Sequence, residues 1–254
     1  MSTHTTTRND PTESLIAQLD AVDTLPWATE LRAYSYDLLG LTPGARVVDV
    51  GCGTGRAVTE LRDRSATPVG VDASEQMITL AQQRWPGADF RVGTAERLPF
   101  ANGQLDAYRA DKLYHALPDP AAALGEARRV LAPGGRVVLI GQDWDAFVID
   151  SDDAALTRTI VHARADLLPH PRAARAYRNL LLDGGFTQVA VDVRTAIFTD
   201  ATVLPVLVAL AKAVRDHHGI TGEQADTWLA EQSRRARAGR LFFAMPLVVA
   251  TAQR

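Results

Sequence analysis

Val47-Val48-Asp49-Val50-Gly51-Cys52-Gly53-Thr54-Gly55 is an apolar run carrying one acid that passes into three glycines at alternate positions. Residues 56–64 then continue at helical spacing, so the segment reads as a strand–turn–helix joint. Glycine in that setting lets backbone approach a ligand closely, and an ordinary tight turn also uses it. A dinucleotide fingerprint, G-x-G-x-x-G, needs glycine at the sixth position counted from Gly51, and that position is Arg56. The spacing therefore disfavours a dinucleotide. Asp72, at the end of the next apolar run, can accept two hydrogen bonds from a ribose diol, which either an adenine dinucleotide or an adenosyl ligand presents.

Outward from this joint, short β-branched runs alternate with helical patterns, the signature of βαβ units on a parallel sheet. Strands are expected over residues 45–50, 68–72, 89–93, 105–110, 135–142, 187–195 and 242–251, the first five forming a parallel core. Helices are expected over residues 28–39, 56–64, 75–84, 120–131, 154–167 and 172–182. Trp85-Pro86-Gly87 and Ala132-Pro133-Gly134-Gly135 are the clearest breaks. Residues 201–238 hold two helices, divided near residues 218–222. Some forty helical residues between the last two strands exceed a hairpin connection and suggest a cover or an interface.

The chain of 254 residues, 46% hydrophobic, is long enough for one sizeable core. The expected organisation is a lead without order over residues 1–14 and a single domain over 15–254. Within it lies a cofactor-binding core at 41–145, with helical cap elements near 15–40, 151–183 and 200–238. A formal net charge of −3 leaves no basic footprint for nucleic acid, which is not expected as a partner. The single cysteine, Cys52, excludes an intrachain disulfide and a thiolate metal cluster, and a reducing cytoplasmic setting fits it. The longest apolar stretch, residues 201–213, is too short to span a bilayer and contains Pro205 and Lys212. No membrane partner is expected.

Three further segments agree with the glycine joint. They are Gly70-Val71-Asp72-Ala73-Ser74-Glu75-Gln76-Met77, Gly93-Thr94-Ala95-Glu96-Arg97-Leu98-Pro99-Phe100 and Arg129-Val130-Leu131-Ala132-Pro133-Gly134-Gly135-Arg136. Together, over roughly residues 45–142, the four resemble the motifs of class I S-adenosylmethionine-dependent methyltransferases, in the branch that contains ubiquinone and menaquinone methyltransferases. The resemblance implies a Rossmann-like doubly wound α/β sheet in the order 3-2-1-4-5-7-6, strand seven antiparallel. It places S-adenosyl-L-methionine at the carboxyl ends of strands one to four. It would set Gly51, Cys52, Gly53 and Gly55 against the methionine moiety, with Asp49 supporting the loop or the amino group. Asp72 would hold the ribose, Ala73 and Met77 would flank adenine, and Gly93, Thr94 and Ala95 would form the adenine-side loop. Thr94 departs from the acid many relatives carry there. Arg32 and Asp111 are candidates for the cofactor's carboxylate and ammonium groups.

A sulfonium methyl group is already an activated electrophile, so alignment of the nucleophile and exclusion of water are the main requirements, with a base where the nucleophile carries a proton. His115 is the candidate general base, and its alternative is a packing or capping histidine. Trp144 offers an aromatic plate to an acceptor, and Asp143 and Asp145 flank it as acids or turn caps. Tyr34, Tyr114, His115 and His162 are further acceptor-contact candidates, with Arg164 on the same helix as His162. His217-His218 lacks companions at ligand spacing, and no metal site is expected. The expected partner is a small-molecule acceptor, and the chain can also form a homodimer through the helical insertion. The alternatives are another reaction class on the same scaffold or a noncatalytic cofactor-binding protein.

Overall fold

The computed structural model describes residue 20 and residues 23–254; the expected lead over 1–14, and the start of the first cap element, lie outside the described residues. Helix α1, Pro26–Leu39, begins on proline and ends at Gly40 in the left-handed region. Then come β1 Arg46–Val50, α2 Arg56–Asp63, β2 Thr67–Asp72, α3 Glu75–Arg84 and β3 Asp89–Val92. β4 Leu105–Asp111, α4 Pro120–Val130, β5 Leu131–Gln142 and a two-residue β6, Val148–Ile149, follow. The remainder is α5 Ala154–Asp166, α6 Ala173–Asp183, β7 Thr187–Phe198, α7 Leu204–Asp216, α8 Gly222–Arg237 and β8 Phe243–Gln253. Four of the described α-helices start at capping side chains. Ser74 receives the Met77 amide, Asp119 those of Ala121 and Ala122, and Thr221 with Gln224 completes a reciprocal capping box.

Strands β1 to β5 are parallel in the order β3-β2-β1-β4-β5, and β8 lies antiparallel between β5 and β7. With the short β6 set aside, this is the expected order 3-2-1-4-5-7-6. β6 joins β8 beyond the end of β5, a pairing too short to announce itself in the sequence.

Alternation along the strands divides the core. Val48, Val50, Tyr108, Ala110, Val137 and Leu139 face α4 and α6. Val47, Ala107, Val138 and Ile140 face the opposite way, packing with Leu31, Tyr36 and Leu39 of α1 and with α5, α7 and α8. The two helices of the insertion therefore pack on α5, beside the start of β8, rather than standing apart. Asp49, Arg109, Asp111 and Gln142 lie on the α1 face by the same alternation. β7 is an edge strand among the described residues, with a bulge between Thr187 and Ala190 and with Val191, Val193 and Ile197 exposed. The Arg178 guanidinium donates to the Val189 carbonyl oxygen, and the Val193 amide donates to the adjacent Asp192 carboxylate at 2.8 Å. No described helix is long and apolar enough to cross a membrane.

Candidate functional site

The glycine loop is held from both sides. The Gly51 and Cys52 amides donate to the Val71 carbonyl, and the Trp85 indole donates to the Thr54 carbonyl at 2.9 Å. Gly55 has φ +85°, and a Cβ there would fall 2.5 Å from the Phe90 ring, so only glycine lets the loop seat against β3. Gly53 has φ +51° and nothing within 4 Å of an added Cβ, so its bare backbone faces open space. Asp72 fixes this geometry: Oδ2 accepts from the Gly53 amide and Oδ1 from the Ser74 amide, both at 2.9 Å. A carboxylate oxygen has two lone-pair sites, so each retains one for a further donor.

Under the loop lies a cavity of about 250 Å³, bordered by Gly51, Cys52, Gly53 and Thr54. Its remaining wall is charged with both signs: Asp23, Asp49 and Asp111 stand among Arg32, Arg56, Arg109 and Lys112. Arg109, 2% exposed, is the hub. It donates to Asp49 at 2.6 Å, to Asp111 at 2.8 Å and to the Ser35 hydroxyl at 2.9 Å, while Lys112 donates to Asp111 at 2.6 Å. Burial pushes the Asp49 carboxyl above its ordinary value against the pull of Arg109. Burial acts on Asp111 too, but Lys112 and Arg109 together carry it below the ordinary value. The Arg56 Nε is buried with no hydrogen-bond partner. Asp23 Oδ2 stands 3.9 Å from it, an ion pair beyond hydrogen-bond reach. A cationic N–H left without a hydrogen bond beside Gly53, in a cavity that also exposes acids, suits the carboxylate and ammonium of an amino-acid moiety.

Several expected residues stand elsewhere. Arg32 borders the cavity, but its guanidinium is held by Glu60 at 3.0 and 3.1 Å and by the Asp23 carbonyl, which makes it a wall support. Cys52 contributes backbone only, because its thiol packs in the cluster of Val58, Ile78 and Phe90, where burial raises its pKa. Ala73 is exposed and Met77 half-buried, next to Asp72. Gly93 and Thr94 border an open groove of about 720 Å³ along β3, while Ala95 is buried with Leu98 and Phe100. None of these three borders the charged cavity.

Among the acceptor candidates, Tyr34 is turned away: its hydroxyl donates to Asp192 at 3.0 Å and Arg194 covers its ring, in a separate cavity between α1 and β7. Tyr114 is fully buried on the opposite face of the sheet, its hydroxyl 3.3 Å from that of Tyr108 and its ring edge-on to Tyr177. His162 is exposed, whereas Arg164, two residues on, reaches inward over Trp144. Asp143 and Asp145 are paired with Arg175 and Arg172.

His115 and Trp144 do meet, with ring centroids 5.4 Å apart. From them an aromatic line continues through Phe147, Phe243 and Phe198 to Trp27 of α1, each step between 5.4 and 5.8 Å. Burial, with Arg164 and Lys112 adding to it, lowers the His115 pKa to about 4. The Gln142 Oε1, at the end of β5, is buried without a partner. Sequence reasoning did not single out Arg109, Gln142 or the place of Arg56 on the cavity wall. The available signal for Arg109 was a charge inside Leu105-Asp106-Ala107-Tyr108-Arg109-Ala110-Asp111, a central parallel strand whose two faces are both covered.

Comparison with known proteins is consistent with this geometry. The profile of the family described as a methyltransferase domain matches residues 48–139. The chain is 31% identical over 249 residues to an uncharacterized 37.1 kDa protein in transposon Tn4556 of Streptomyces fradiae, across 94% of this chain and 71% of the other. It is 38% identical over 108 residues to the demethylmenaquinone methyltransferase of Beutenbergia cavernae, across 42% of this chain and 45% of that enzyme. The matched stretch thus spans less than half of that relative. A solved geranyl diphosphate methyltransferase in complex with SAM shares the fold at TM-score 0.58 and 19% identity, covering 97% of this chain and 92% of that one.

Proposed function

The chain belongs to the class I S-adenosylmethionine-dependent methyltransferases, and from that premise we propose that it methylates a C, O or N nucleophile of a small apolar or aromatic metabolite. The observation that carries this reading is the charged cavity beneath Gly53, with acids and an Arg56 Nε without a hydrogen bond on its wall, on the side of the sheet that carries the aromatic line.

Bound S-adenosylmethionine would supply a methyl group on a sulfonium centre, activated without help from the protein. The protein's work is then to bind, orient and keep water away. Arg56 suits the amino-acid carboxylate, and Asp111, held ionised by Lys112 and Arg109, suits the ammonium group. The free lone pairs of Asp72 suit the ribose diol. On the acceptor side, Trp144 and Phe147 offer flat apolar surface, and the Gln142 Oε1 accepts a hydrogen bond. His115, neutral above about pH 4, can take a proton from the acceptor atom. The helices α5, α7 and α8 serve as the cover that excludes water, with the whole acting as one cytoplasmic domain.

The test has two arms. Calorimetry with S-adenosylhomocysteine checks the cavity, and mass spectrometry of candidate acceptors incubated with methyl-labelled cofactor checks transfer. Label in a small-molecule product is the expected result. Cofactor binding without label in any acceptor would favour a noncatalytic role, and binding of a dinucleotide in place of adenosylhomocysteine would overturn the reading.

A further inference from the structure

Three nitrogen-bearing side chains, Trp144, Arg164 and His115, meet beside the aromatic line. The Trp144 Nε1 is buried and has no hydrogen-bond partner. The Arg164 guanidinium lies 4.5 Å over the Trp144 ring, half-buried, and forms no ion pair with any carboxylate of the described residues. His115 touches the same indole, and its ring has no hydrogen-bond partner among the described residues. Of the nearby acids, Asp143 is paired with Arg175, and Asp145 is paired with Arg172 through Oδ2 while its Oδ1 is buried without a hydrogen-bond partner; neither forms an ion pair with Arg164. Elsewhere in the protein the buried Arg32 and the half-buried Arg235 each have a carboxylate. Arg164 has an aromatic face instead.

A buried donor without an acceptor is unfavourable unless a ligand completes it, and a guanidinium with an adjacent N–H matches the two oxygens of a carboxylate. We propose that the acceptor is an anionic, flat molecule whose carboxylate is received by Arg164 and the Trp144 Nε1–H while its ring lies along Trp144 and Phe147. This deepens the methyltransferase reading and rests on it. It assigns Arg164 a role in substrate selection, separate from cofactor binding, since Arg164 does not border the charged cavity.

The experiment titrates adenosylhomocysteine-loaded protein with 4-hydroxybenzoate and 6-hydroxy-2-naphthoate and with the methyl ester of each. The expected result is that at least one acid binds ten times or more tightly than its ester. In Arg164→Gln the gap falls below twofold, Arg164→Lys keeps part of it, and both variants bind adenosylhomocysteine as the parent does, which also checks their folding. Equal binding of acid and ester, binding of neither acid, or a gap that survives Arg164→Gln overturns the proposal. Failure of the parent to bind adenosylhomocysteine overturns the methyltransferase reading beneath it, and the selectivity proposal falls with it.

Discussion

Replacing Arg109 by leucine keeps much of the side chain's bulk and removes its charge. Asp49, 3% exposed, and Asp111, with a side chain 12% exposed, then keep only Lys112 between them, and Lys112 reaches Asp111 alone. Removing one partner of a buried ion pair costs about 3–5 kcal/mol, because the remaining charge is neither solvated nor paired. Against a total stability of about 5–15 kcal/mol that loss is large. The pH dependence identifies the cause. In the native protein Asp111 sits below its ordinary pKa, so its contribution is present above the ordinary carboxyl range and is lost as pH falls through the folded value. In the variant, burial without the guanidinium raises both carboxyls, so the penalty is full at neutral pH and relieved as acid protonates them. Urea unfolding followed by tryptophan fluorescence at pH 7.5 and pH 5 should show the gap between parent and variant narrowing by about 1 kcal/mol or more, with unchanged slope against urea. Adding Asp49→Asn to the variant should recover part of the loss at pH 7.5. A gap below about 1 kcal/mol, or one independent of pH and of Asp49→Asn, would refute the buried-charge account.

Asp72→Ala loses the acceptor of two backbone amides and of the ribose diol, and should weaken adenosylhomocysteine at least about tenfold by calorimetry. Gly55→Ala places a methyl against Phe90 at positive φ and should lower stability by about 1–3 kcal/mol, read as a fall in melting temperature. If His115 is the base, the acid limb of turnover has its midpoint near pH 4 rather than the ordinary histidine value, and His115→Ala slows turnover while leaving cofactor affinity intact; an unaltered turnover would remove it from that role.

The glycine joint was legible because strand, turn and helix are local patterns, and so was Asp72, since strand ends follow from the same periodicity. Arg109 was not. Its carboxylate partners come from β1 and from its own strand two residues on, and the parallel register that sets Asp49 beside Arg109 brings them together, with Ser35 reaching it from α1. Tyr34 and Tyr114 failed for a related reason: each lies close in sequence to site residues, but the side of the element it occupies is decided by packing, on β7 for one and on Tyr177 for the other. His162 and Arg164 show the same limit, since their separation on a helix assigns different faces without saying which looks inward. The insertion was visible as helices, yet its place against α5 and β8 depends on apolar contacts that spacing alone does not specify.

The outermost strand carries a colloidal consequence. β7 displays Val191, Val193 and Ile197 to solvent along an edge that carries no further strand among the described residues, a surface on which misfolded or crowded chains tend to nucleate fibrils. An incoming strand, however, would first have to strip Asp192 from the Val193 amide and Arg178 from the Val189 carbonyl, and then match a bulged register. The same few polar atoms that look incidental to catalysis thus act as gatekeepers, and neutralising Asp192 and Arg178 together should shorten the lag before turbidity in a concentrated solution held at 37 °C.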